Sequence, residues 1–229
     1  MRLSDALPGK ARVVLFVAGG LVLVLAIAQL ILPRIAASMI SSKVGRYGKV
    51  QSVSVSSFPA IQILWGDVGS VHVRAASLSM SPAQVASLLW EARGSGSLQL
   101  QAERVQLGSL ALTDATLHKH GSSLSAEARV SEADVQRALP AGVSVRLLHS
   151  GGGEVEVQAT GGLFGLSASV NAVAGASGGQ LVAHPLGFLI EAFQLTLFSA
   201  EHVYVDGVGA SVVAEDPTSY RLTMQASLR

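Results

Sequence analysis

Apolar positions along this chain follow two regimes. Residues Val13–Leu32 are apolar almost without a break, interrupted only by Gly19, Gly20 and Gln29. A run of about 20 such residues is what a helix needs to cross roughly 30 Å of hydrocarbon. Residues 34–48 then predict an amphipathic helix, with Ile35, Met39 and Ile40 on one side and Arg34, Ser41, Ser42 and Arg46 on the other. Gly45 and Gly48 end it. Beyond Gly48 the period becomes two. Val53 and Val55 stand between serines, then Val71, Val73, Leu78 and Met80, then Leu98, Leu100 and Ala102, then Val105 and Leu107, then Leu110 and Leu112. Each set reads as a half-buried strand.

Two helices interrupt the strands. Ser81 is a good N-cap, Pro82 suits the first helical position and Gln84 completes a capping box, with Val85, Leu88, Leu89 and Ala92 on the apolar side and Gly94 at the stop. Gly94–Ser97 reads as a flexible joint. Ser131 and Asp134 start a second helix, with Val135, Ala138 and Leu139 inward and Pro140 as the stop. The fifty-residue spacing of the two caps fits either a duplicated strand–helix–strand unit or convergent capping chemistry. In the last third, Gly151-Gly152-Gly153, Gly161-Gly162 and Gly178-Gly179 punctuate strands. Leu186–Phe198 fits helix or strand. Val203, Val205, Val208 and Val212, then Leu222, Met224 and Ala226, close the sheet. The predicted class is α+β: one large curved antiparallel sheet packed on two or three helices, after one N-terminal transmembrane helix. The division is a cytoplasmic leader (1–12), an anchor (13–32), an amphipathic connector (33–49) and one domain (50–229).

Arg34, Lys43, Arg46 and Lys49 beyond the apolar run leave the charge bias alone ambiguous, and since long domains translocate largely regardless of charge, the leader decides the orientation. The leader holds Arg2, Lys10 and Arg12 against Asp5, which favours a cytoplasmic N-terminus and an extracytoplasmic domain. Ala26-Ile27-Ala28 also has the small-x-small form of a signal-peptidase site, so an uncleaved anchor and a signal cut after Ala28 are both open readings. With no cysteine in the chain, there is no lipoprotein anchor and no disulfide, and the fold rests on its core. Residues 1–50 carry seven of the 16 basic and one of the 15 acidic side chains. That segment is therefore +6 and the remainder −5. An acidic domain excludes a nucleic-acid partner. Arg34, Lys43, Arg46 and Lys49 either attract anionic headgroups, at about 1 kcal/mol each, or simply solubilise the flank.

Motifs for catalysis are missing. No nucleophile elbow, P-loop, zincin or paired-cysteine site is present. His118 and His120 flank Lys119 at a predicted hairpin tip, and the glycine clusters lack the strand-to-helix context of a phosphate cradle. The expectation is a non-enzymatic protein with no cofactor and no metal. What exceeds background is apolar: the chain is 49% hydrophobic with only 14% charged residues, against roughly 25% charged in ordinary soluble domains. Phe58, Ile61, Leu64 and Trp65 crowd a strand start; Leu88, Leu89 and Trp90 are consecutive; Phe164, Phe188, Leu189 and Phe193 add to the surplus. These are the candidate lipid-binding residues, lining an apolar groove between sheet and helices. A buried two-sided core layer accounts for part of the surplus.

The stretch VQSVSVSSFPAIQILWGDVGSVHVRAASL resembles the opening of the LmeA-like phospholipid-binding proteins of bacterial cell envelopes, with Val53, Phe58, Pro59, Leu64 and Gly66 matching in order. VQLGSLALTDATL and ARVSEADVQRAL are similar to that family's middle strand pair and capped helix. The resemblance implies a tubular lipid-binding type of fold, membrane phospholipids as partners and a role in envelope lipoglycan maturation, with no catalytic motif. Two other classes stay open: an envelope scaffold that meets a protein partner, and a hydrolase or transferase acting on lipid-linked sugars.

Overall fold

The computed structural model describes residues 29, 31–57, 68–163, 166–187, 194–215 and 218–229. Residues 31–44 form helix α1. A seven-stranded sheet follows the order β1 (Gly48–Ser56), β2 (Val68–Met80), β3 (Ser95–Leu107), β4 (Leu110–His120), β5 (Ser123–Ser131), β12 (Thr218–Leu228) and β11 (Val203–Glu215). A second sheet has five strands: β10 (Leu195–Phe198), β9 (Gln180–Pro185), β8 (Leu166–Ser177), β7 (Glu154–Leu163) and β6 (Val143–Gly151). Helix α2 (Pro82–Glu91) joins β2 to β3, and helix α3 (Glu132–Ala138) joins β5 to β6.

The α+β class holds, but the single antiparallel sheet does not. There are two sheets, and β2 pairs with β3 in parallel. The reason lies in the connections. A strand that returns through a helix re-enters its sheet in the same direction, and α2 makes that crossover. At α3 and Pro140 the chain instead leaves the first sheet, so β6 starts a new one. The two capped helices therefore sit in different settings, one within a sheet and one between sheets. Ser95, expected in a flexible joint, is buried and opens β3. The run from Leu186 contributes strand β10 at its end; residues 188–193 lie outside the described residues, as does most of the predicted anchor. Among the described residues, no helix is long and apolar enough to cross a membrane.

Capping fixes the helix starts. Ser81 Oγ accepts from the Gln84 amide at 3.2 Å, and the Gln84 side chain accepts from the Ser81 amide at 2.7 Å. Ser131 Oγ accepts from the Asp134 amide at 3.1 Å. Helix α2 then lays Ala86 and Leu89 onto Leu124, Val203, Ala226 and Leu228, forming the main core cluster. Burying one such leucine contributes about 2 kcal/mol. A smaller cluster, Ala75, Leu78 and Ala102, is capped by Val44 at the end of α1. Lys43 on α1 pairs with Glu91 on α2, tying the two helices.

The second sheet meets the first through hairpin tips. The Val205 amide donates to the Gly179 carbonyl at 2.9 Å, and the Val208 amide to the Gly153 carbonyl at 2.8 Å. Strand β11, otherwise an open edge, thereby has part of its backbone satisfied. Gly179 has φ +80°, and a Cβ there would stand 2.3 Å from Tyr204 Cδ1. The neighbouring Gly178 has φ +58° with open space around it. Gly178→Ala should cost about 1 kcal/mol, the left-handed backbone penalty alone. Gly179→Ala should cost roughly 1–3 kcal/mol more, because the ring must move as well. Thermal unfolding of the two variants checks this, and equal losses would mean that Tyr204 does not hold the junction.

Candidate functional site

Strand register divides the seven-stranded sheet into two unlike faces. Across β1-β2-β3-β4-β5-β12-β11, one row reads Ser54, His72, Gln99, His118, Ser125, Gln225 and Gly207. The row beside it on the opposite face reads Val55, Val71, Leu98, Lys119, Leu124, Ala226 and Val205, and the next on that face reads Val53, Val73, Leu100, Leu117, Ala126, Met224 and Val208. One face is thus polar. The other is apolar across its whole width save one lysine.

The apolar face is covered unevenly. Under α2 it is buried. Further along the strands it is only half-covered: Leu100, Leu117, Ala126, Met224 and Val208 keep partial exposure, as do Ala128, Leu222 and Ala210 beyond them. Along β5 the trough runs between buried Leu124 and buried Val130, each 2% exposed. Six residues of strand span about 20 Å. That is somewhat more than the roughly 15 Å depth of one leaflet's hydrocarbon. Helix α2 closes one end, and α3 packs on β4, β5 and β12 near the other. Ala126 and Ala128 are small, half-buried residues on the floor.

Lys119 is the exception in the apolar row. It is 2% exposed, and its ammonium donates to the carbonyls of Ser95 and Arg93 just past the end of α2. Loss of water around it pulls its pKa below the usual lysine value of 10.5. The cation answers the carbonyl end of the helix, where positive charge is favoured, and it pins that end to the middle of the sheet. Beside it, Arg93 lies 4.5 Å over the Trp90 ring, and Trp90 stacks on His202 at 3.8 Å between centroids.

The structure separates the sequence-predicted residues. Leu89 belongs to the core cluster, Leu88 is half-buried and Trp90 sits in the stack between Arg93 and His202. Phe58, Ile61, Leu64, Trp65, Phe164, Phe188, Leu189 and Phe193 lie outside the described residues. Arg34, Arg46 and Lys49 are exposed, and Lys43 is engaged with Glu91. His118 and His120 point to the polar face and flank the buried lysine, and no metal-binding group of side chains exists among the described residues. The trough residues Leu100, Leu117, Ala126 and Met224 belong to alternating strand patterns whose individual burial the sequence does not rank. Their signal is the register, which only the pairing of strands reveals.

Two other concavities are present. One, of about 450 Å³, lies on the polar face between Ser54, His72, Arg74 and Gln99. The other, of about 400 Å³, lies at the junction of the sheets around Gly153, Asp206 and Gly207. Neither touches the trough floor beyond Val73 and Val208 at its margins.

A family model described as LmeA-like phospholipid-binding matches residues 24–226. The chain belongs to that family. Phospholipid is accordingly the partner class of this LmeA-like chain. No curated protein and no solved structure matches the chain significantly.

The buried lysine yields a pH test with a definite sign. Its folded pKa lies below its unfolded one, so between those two values the unfolded chain binds more protons. Stability therefore rises with pH across that window, toward 10.5. Lys119→Met, similar in length and uncharged, should remove this rise. Thermal midpoints of both proteins from pH 7 upward give the comparison, and parallel curves would mean that Lys119 is not the group responsible.

Proposed function

We propose that this protein is a membrane-anchored, extracytoplasmic phospholipid carrier that holds an acyl chain in the trough between α2 and α3 and shuttles or presents the lipid for envelope lipid or lipoglycan maturation. The observation that carries this reading is the half-covered stretch of apolar face, bounded by Leu124 and Val130 on β5, in a chain of the phospholipid-binding family. The apolar run Val13–Leu32, with its basic leader, supports an anchor and an outward domain. The protein acts by binding, with no catalytic step. Each acyl CH₂ moved from water into the trough contributes about 0.8 kcal/mol, so shape and length do the selecting.

Floor residues, rather than Leu89, are the right place to test it. A charge at Leu89 would disrupt the core cluster and unfold the domain. Ala126→Trp fills the middle of the trough, and Met224→Glu places a charge on the floor. Blocking even two CH₂ positions costs about 1.6 kcal/mol, more than tenfold in affinity. Native mass spectrometry of the full chain should show co-purified phospholipid in the parent protein and in a His118→Glu control on the polar face. It should show strongly reduced occupancy in both trough variants, with circular dichroism confirming that they fold. Unchanged occupancy in two folded trough variants would place the lipid elsewhere.

A further inference from the structure

Helix α1 is apolar on two sides, and the domain covers only one. Val44, at its end, packs on Ala75, Leu78 and Ala102, and Leu32, Ala36 and Ile40 are half-buried. On the other side Ile31, Ile35 and Met39 stand on successive turns and are 48%, 50% and 68% exposed. The sequence pattern placed Ile35, Met39 and Ile40 on one face; the structure turns Ile40 inward and leaves the other two bare. An apolar stripe of this kind on a helix needs a partner of low polarity.

Polar groups along the stripe are already arranged for such a partner. Ser38 Oγ donates to the Ile35 carbonyl at 2.8 Å, and Ser42 Oγ to the Ser38 carbonyl at 2.9 Å. Both hydroxyls are satisfied within the helix, so burying the stripe strands neither of them. Exposed Arg34 has an aliphatic stem that can lie along the stripe while its guanidinium reaches a headgroup phosphate. The apolar sequence Val13–Leu32 runs directly into the first turn of α1.

We infer that Ile31, Ile35 and Met39 seat α1 in the interfacial layer of the bilayer, so that the domain lies against the membrane instead of swinging on a tether. This rests on the anchor reading given under Proposed function, and goes beyond it by assigning the docking surface. The trough is then held beside its lipid source, because α1 ends with Val44 on the same apolar face that forms the trough.

A chain without cysteine allows a clean test. Single Ile35→Cys, Met39→Cys and, as a control on α2, Ser87→Cys variants of the full chain are labelled with an environment-sensitive fluorophore. They are then reconstituted in phosphatidylglycerol–phosphatidylcholine vesicles carrying a nitroxide high on the acyl chain. An interfacial helix sits about 5–10 Å into the headgroup and acyl boundary, so labels at 35 and 39 should be blue-shifted and quenched about twofold or more relative to the label at 87. Vesicle flotation after alkaline wash reports the anchor separately. Chain that floats with labels at 35 and 39 no more quenched than at 87 overturns the docking while the anchor stands. Chain that does not float overturns both. Probe–probe self-quenching that falls on dilution of the protein in the vesicles, without lipid quenching, also overturns it, in favour of a second copy on the stripe.

Discussion

Among the described residues, α2, α3 and the end of α1 cover only part of the apolar face of the seven-stranded sheet. Six inter-strand steps of about 4.8 Å make the sheet roughly 29 Å wide, and strands of 13 residues are about 43 Å long. Helix α2, with 10 residues, is about 15 Å long, and α3, with 7, about 10 Å. At a helix width of about 10 Å, these two shade only part of that face, and the end of α1 adds cover through Val44. Bulges on β1, β4 and β11 add twist and bend the sheet. An apolar face of this kind suits an apolar ligand, and membership of a phospholipid-binding family gives the ligand class on which the proposed trough rests.

Lys119 shows how the covered part is kept distinct from the open part. A charge in the middle of an apolar row is costly to desolvate, and its depressed pKa records that cost. In exchange, the carbonyls of Arg93 and Ser95 find a donor where the helix ends against the sheet. An apolar residue at 119 would leave those two carbonyls without this donor. The lysine thus joins the core contacts of Ala86 and Leu89 in holding the end of α2 on the sheet. The stacked Arg93, Trp90 and His202 extend the same fixed corner toward β11.

Local features of this fold were legible in the sequence and its long-range geometry was not. Ser81, Pro82 and Gln84 announce α2, and Ser131 with Asp134 announces α3, because capping is decided within four residues. The alternation in Leu98, Leu100 and Ala102 announces a strand for the same reason. Nothing local says that β3 runs parallel to β2, or that β6 begins another sheet, because those depend on where a helix delivers the chain. The site suffered from a related blindness. Consecutive Leu88, Leu89 and Trp90 look like surplus, yet Leu89 is core and Trp90 is stacked on His202, far away in sequence. The trough floor is written in alanines as much as in leucines, and a small residue signals room only when its cross-strand neighbours are known. Lys119 reads as part of a polar hairpin tip until the pleat shows that it faces the other way from His118 and His120.

Position relative to the bilayer matters to such a trough for an energetic reason. Passing an acyl chain of some 16 carbons through water costs about 13 kcal/mol at 0.8 kcal/mol per CH₂, a barrier too high for useful exchange by free diffusion. A trough whose mouth stays within the headgroup layer avoids most of that cost, since each CH₂ leaves hydrocarbon only to enter the protein. Tethering alone does not secure this, because a flexible tether leaves the domain free to turn its apolar face to water, where the only favourable response is self-association. A helix that is apolar on both sides resolves the problem in the docking proposed above: one side of α1 belongs to the domain through Val44 and the Lys43–Glu91 pair, and the other, along exposed Ile31, Ile35 and Met39, is offered to the membrane. The exposed stripe and the half-covered trough are then two parts of one arrangement, each of which would be a liability without the other.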